Sequence, residues 1–123
     1  MIKEINSLVL AYLGDTVYED YVRLYLIKKG IANVNDLQTE SIKYSSAKAQ
    51  CEILKRLMNE NIFTDNELEI IKRARNHKSV SHPRNCDIVS YRNATGLEAL
   101  IGYLKLENND KRINEIMENI LKN

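Results

Sequence analysis

Proline is almost absent from this 123-residue chain, which has one, and glycine is sparse, with four. An all-β protein turns repeatedly and needs more of both, so the composition points away from that class. Cysteine is equally scarce. Cys51 and Cys86 form no CxxC pair, and isolated thiols in a chain of this size read as reduced and cytosolic. No apolar run approaches the ~18 residues of a membrane helix. The opening MIKEINSLVLAYLGD has too short an apolar run for a signal peptide and no small-residue cleavage site. These absences predict a soluble cytoplasmic protein with no membrane partner.

What remains is ordinary globular material, 44% hydrophobic and 28% charged. The length fits one domain spanning residues 1–123, enough to bury a core without disulfides. Net charge is only +1, but its distribution is uneven. The stretch Lys72 to Arg84, KRARNHKSVSHPR, holds five Lys or Arg, two His and no acid. The rest of the chain carries 13 basic and 17 acidic residues, a net of −4. Such a stretch is either a solvated charge run or a phosphate-binding surface.

Apolar spacing is helical almost throughout, and no segment alternates strictly enough for a strand. Residues 5–13 form an apolar opening segment. Residues 15–29 are apolar around more than half a helix circumference, which predicts a central helix buried on several sides. Gly30 is its expected stop. Asn35-x-x-Gln38 and Thr64-x-x-Glu67 resemble capping boxes and predict helix starts at 36 and 65. A third amphipathic helix is expected from about 46 to 59. His82-Pro83 interrupts the pattern, because proline disfavours a helical residue before it. That predicts a basic loop over 77–86, then a helix over 87–106, then a last helix capped by Asn109. The seven tyrosines fall mostly at core spacing, as packing residues rather than a base-stacking platform.

Few residues are placed to do chemistry. Asp15 follows Gly14 at the start of the expected central helix. Glu98 lies inside ATGLEALIGYL, a run otherwise apolar. Ionised carboxylates are rarely buried without a partner, so Glu98 either faces solvent or holds something. Asp15 as a helix cap and Glu98 as a surface residue is the plain structural alternative. Glu19, one turn after Asp15, is either a further ligand or the salt-bridge partner of Arg23, and the i,i+4 spacing favours the second. His77, His82 and Cys86 match no compact zinc signature and lack a fourth ligand. There is no Gly-rich phosphate loop and no GxSxG.

The segment LAYLGDTVYEDYVR resembles the signature of the ribonuclease III family: an apolar stretch, then Leu-Gly-Asp, then an aliphatic helix. ATGLEALIGYL resembles that family's second acidic segment, in the same order and at the same separation. SSAKAQ (45–50), KRARNHKS (72–79) and YRNATGLEALIGYL (91–104) resemble the Mini-III branch, a ribonuclease III catalytic domain without a double-stranded-RNA-binding domain. The likeness runs from about residue 6 to 121.

This resemblance implies an all-α, homodimeric endonuclease domain with the ribonuclease III helical-bundle fold. It implies Mg2+-dependent hydrolysis of double-stranded RNA, leaving 5′-phosphate and 3′-hydroxyl ends. It implies a part in maturing the 23S ribosomal RNA precursor, with the pre-ribosome or a ribosomal protein as a further partner. Asp15 and Glu98 fall on the family's catalytic, metal-binding aspartate and glutamate. Two acids of the classical set are missing, replaced by Ala11 and Thr95, as in the Mini-III branch. Where that branch shows Arg-Gly-Arg-Asn, this chain has Arg73-Ala74-Arg75-Asn76, and alanine suits a continuing helix. Lys72, Arg73, Arg75, Asn76, Lys78 and Arg84 are the expected RNA contacts. A non-catalytic RNA- or ribosome-binding module on the same fold is the alternative, and a helical protein-interaction domain is a third.

Overall fold

The computed structural model describes residues 2–78, 84 and 86–122, the side chain of Lys3 apart. A short 3-10 turn, Ile2–Glu4, precedes six α-helices among the described residues: α1 (Ser7–Lys28), α2 (Val34–Ser45), α3 (Ala47–Asn59), α4 (Asp65–Arg75), α5 (Ile88–Leu106) and α6 (Asp110–Leu121). The described part contains no strand, so the all-α expectation holds.

The expected opening segment and central helix are one continuous helix. The Asn6 side chain caps it by accepting from the Leu8 N–H at 2.8 Å. Asp15 therefore lies well inside α1 and caps nothing. Nor is α1 buried on several sides. Ser7, Leu10, Ala11, Gly14, Tyr18, Val22 and Leu26 make one buried stripe at three- and four-residue spacing, while Leu24 and Ile27 are exposed. The central helix is α5, in which ten of the eleven residues from Ala94 to Leu104 are buried. The exception is Glu98, half-buried.

Caps follow local chemistry. Gly30, at φ +98°, ends α1 in a Schellman motif: its N–H reaches the Ile27 carbonyl, and the Ile31 N–H reaches the Leu26 carbonyl. Asn61 and Asn108 end α3 and α5 in the same way, at φ 54° and 59°. Helix α2 begins earlier than expected. The Asn33 carboxamide accepts from the N–H groups of Asn35 and Asp36, so Asn33 is the cap rather than Asn35. The Thr64–Glu67 capping box forms with both of its bonds, at 3.0 and 3.1 Å. Ser46, Asp87 and Asn109 cap α3, α5 and α6. Of the expected loop over 77–86, the break at His82-Pro83 lies outside the described residues.

Helix α1 crosses α5 with almost no side chain between the backbones. A Cβ added to Gly14 would sit 1.7 Å from the Glu98 carbonyl oxygen, and one added to Gly102 would sit 1.9 Å from the Leu10 carbonyl oxygen. Glycine inside a helix costs about 1 kcal/mol relative to alanine. Here its absent side chain is what permits the contact. Around this crossing Leu10, Tyr18, Leu54, Leu57, Ile71, Leu97, Leu100 and Ile101 form the core. Six of the seven tyrosines are buried or half-buried, as expected; Tyr12 is 81% exposed.

Candidate active site

Asp15 follows Gly14 in the chain, and Glu98 supplies the carbonyl against which Gly14 packs. The close helix crossing thus brings together the two acids singled out in the sequence. Both line one open cavity of about 600 Å³, with Ala11, Tyr12, Gln50, Tyr91 and Thr95 among its other walls. The Asp15 side chain is exposed; Glu98 is half-buried at the cavity floor.

Burial drives the Glu98 carboxyl up to about 8, and a hydrogen bond with Asp15 and repulsion from its charge push the same way. The Gln50 amide opposes this, and Glu19 adds a further negative field. No cation is among these influences. Beneath the cavity the Tyr18 hydroxyl donates to the Tyr44 carbonyl at 2.6 Å, and burial, then Glu98, raise that phenol.

A pair of carboxyl groups, one of them desolvated and kept from ionising by the other's charge, is an arrangement that a divalent cation would relieve. Among the described residues no three His, Cys, Asp or Glu side chains are grouped to hold a metal. The donor set therefore fits an ion that keeps several waters, as Mg2+ does, and not one that needs a closed protein cage.

Ala11 and Thr95 line the same cavity, at the positions where the classical family set carries acids. Ala11 brings no donor. The Thr95 hydroxyl donates to the Tyr91 carbonyl of its own helix at 2.9 Å. Glu19 takes the role preferred from its spacing, 3.6 Å from Arg23. Gln50 was not anticipated. It is 2% exposed, and its Nε2 donates to Glu98 Oε2 at 3.3 Å. Its signal in the sequence is faint: a polar residue in register with Leu54 and Leu57 on the buried face of α3.

The basic residues lie elsewhere. Lys72, Arg73 and Arg75 form the last turn of α4, Asn76 caps it, and Ala74 continues the helix fully buried. Lys72, Arg73, Asn76, Lys78 and Arg84 are exposed, whereas Arg75 is half-buried. Among the described residues none of these six lines the carboxylate cavity, which that part of the chain reaches only through Cys86.

A family model for the Ribonuclease III domain matches residues 8–109, most of the chain and both acids. The chain belongs to the ribonuclease III family. It is an endoribonuclease of that family. Its curated relatives carry the name Mini-ribonuclease 3. One from Staphylococcus aureus is 42% identical over 120 residues, covering 98% of this chain and 90% of its own length. Another, from Brevibacillus brevis, is 48% identical over 113 residues, 92% of this chain and 83% of that one. A crystal structure of a Fusobacterium nucleatum protein superposes with a TM-score of 0.83 at 33% identity, covering 97% of this chain and 93% of that one. No helix among the described residues is long and apolar enough to cross a membrane.

Proposed function

We propose that this chain is a Mg2+-dependent endonuclease of double-stranded RNA, acting in the cytoplasm as a single catalytic unit and as a homodimer, in the maturation of the 23S ribosomal RNA precursor. One observation carries the metal reading above all: Asp15 and Glu98 face each other across the α1–α5 crossing, where burial and the charge of Asp15 both raise the Glu98 carboxyl. Bound between them, Mg2+ would polarise the scissile phosphate and lower the pKa of a bound water. Asp15, on the exposed side, reaches toward substrate; Glu98, on the floor, is the less solvated anchor. Ala11 and Thr95 add no charge, so water and RNA oxygens would complete the shell.

Duplex RNA hides its base edges in a deep groove, so phosphate and 2′-hydroxyl contacts dominate its recognition. Lys72, Arg73, Arg75, Asn76, Lys78 and Arg84 are the groups proposed for the backbone, outside the cavity where the cut occurs. A twofold dimer presents one such site to each strand. The test is cleavage of a defined RNA duplex with and without Mg2+, beside the same strands unpaired. Metal-dependent cutting of the duplex alone supports the reading. Cutting that needs no added metal, or that spares the duplex, would contradict it.

A further inference from the structure

We propose that Gln50 is a positioning residue for the metal site, holding the Glu98 carboxylate by its Oε2 so that Oε1 is left for the cation. This rests on the reading of Asp15 and Glu98 as metal ligands.

Gln50 sits on the buried face of α3, where an amide left unpaired would be destabilising. Its Nε2–H to Glu98 Oε2, at 3.3 Å, links α3 to α5. The start of α3 is itself held. Ser46 caps it, accepting from the Ala49 N–H at 3.1 Å, and the Gln50 N–H donates to the Ser46 carbonyl at 2.9 Å. Two residues before Ser46, the Tyr44 carbonyl is tied to α1 by Tyr18. The amide is thus presented to Glu98 from a fixed backbone. Restraining a glutamate's rotamers in advance removes part of the side-chain freedom it would otherwise lose on binding an ion.

The residue type matters. A lysine or arginine here would neutralise Glu98 and compete with the incoming cation. A third carboxylate would add repulsion. A neutral amide orients the carboxylate and leaves its charge for the metal, the part that outer partners of metal ligands commonly play.

The test uses Gln50→Met, which keeps length and helix propensity but removes the donor, and Gln50→Asn, whose amide falls one methylene short. Two quantities are read: the Mg2+ concentration for half-maximal duplex cleavage, and the Mn2+ concentration for the half-maximal rise of the thermal midpoint without RNA. Both should increase about tenfold in either variant, the scale typical for loss of an outer partner. Affinity for duplex RNA in EDTA should stay that of the wild type. Unchanged metal requirements in a folded variant would overturn the proposal, and either variant suffices if the other fails to fold. Asp15→Asn and Glu98→Gln separate the two layers. If they abolish the Mn2+ response while Gln50→Met leaves it intact, the role of Gln50 alone fails. If they leave it intact, the metal reading fails and the proposal with it.

Discussion

Gly14 of α1 lies against Glu98 of α5 so closely that a Cβ on Gly14 would stand 1.7 Å from the Glu98 carbonyl oxygen. One residue further along α1 is Asp15. The Leu-Gly-Asp signature and the Glu98 segment are therefore two halves of a single contact, with the glycine setting the separation of the acids.

Gly14→Ala is accordingly expected to remove activity and stability together. The added methyl meets backbone, which cannot swing aside as a side chain would, so the helices must part. A loss of about 3 kcal/mol or more is expected in urea unfolding, at the upper end of overpacking effects. Gly102→Ala, with 1.9 Å to the Leu10 carbonyl, should behave alike. A fully active, fully stable Gly14→Ala would show that the crossing does not set the site.

Glu98→Gln should abolish cleavage yet raise the stability of the metal-free protein at alkaline pH. Burial, followed by Asp15, holds the folded carboxyl near 8, above its ordinary value of 4.5. A raised carboxyl makes its full contribution below the unfolded value, and that contribution is lost as pH climbs through the folded one. The wild type without metal should thus lose stability from about pH 4.5 up to about pH 8, and Glu98→Gln should not. Thermal midpoints across that range check this. A variant that melts below the wild type at every pH would contradict it.

The opposite sign is expected at Glu67. Burial raises its carboxyl, but bonds from Arg112 and Thr64 outweigh that and hold it below the ordinary value. Arg112 grips both oxygens at 2.8 Å and donates to the Ile62 carbonyl at 2.7 Å, tying α6 to α4 and the turn before it. The stabilisation is present above the ordinary carboxylate range and disappears as pH falls through the lowered folded value. Arg112→Met should cost about 3 kcal/mol by leaving the buried Glu67 with only its Thr64 bonds and no cation. Its deficit should shrink in acid, and denaturation curves at acidic and neutral pH measure that. A deficit equal at both would mean that the pair's charge contributes nothing.

Much of this was legible in the sequence, for local reasons. Thr64-x-x-Glu67 encodes its own cap, and Asn109 and Gly30 likewise act within a few residues. Glu98 stood out as a carboxylate amid Leu97, Ala99 and Leu100, but spacing alone left it and Asp15 open to a surface and a capping role, and only the resemblance to the ribonuclease III segments joined the two. What local pattern could not give was helix crossing. The apolar residues of 15–29 suggested the centre of the fold, but glycines at 14 and 102 put α5 there and left Leu24 and Ile27 exposed. Gln50 was invisible for the same reason, since its partner is 48 residues away.

The basic residues invite a charge test. Each phosphate contact removed should lower the salt slope of duplex binding by about 1. Lys72→Ala and Arg73→Ala are both at exposed positions, so the double variant should reduce that slope by about 2 with folding unaffected. Arg75 is a poorer probe, because its stem packs beside Gly96. An unchanged slope would place the RNA on another face.

The central claim is that Asp15 and Glu98 together hold the catalytic metal. It is tested most directly by Mg2+-dependent cleavage of duplex RNA by Asp15→Asn and Glu98→Gln proteins, purified free of host nucleases and shown by circular dichroism to be folded. Both should bind the duplex as the wild type does and leave it uncut at every Mg2+ concentration. Cleavage at the wild-type rate by either one would contradict the claim.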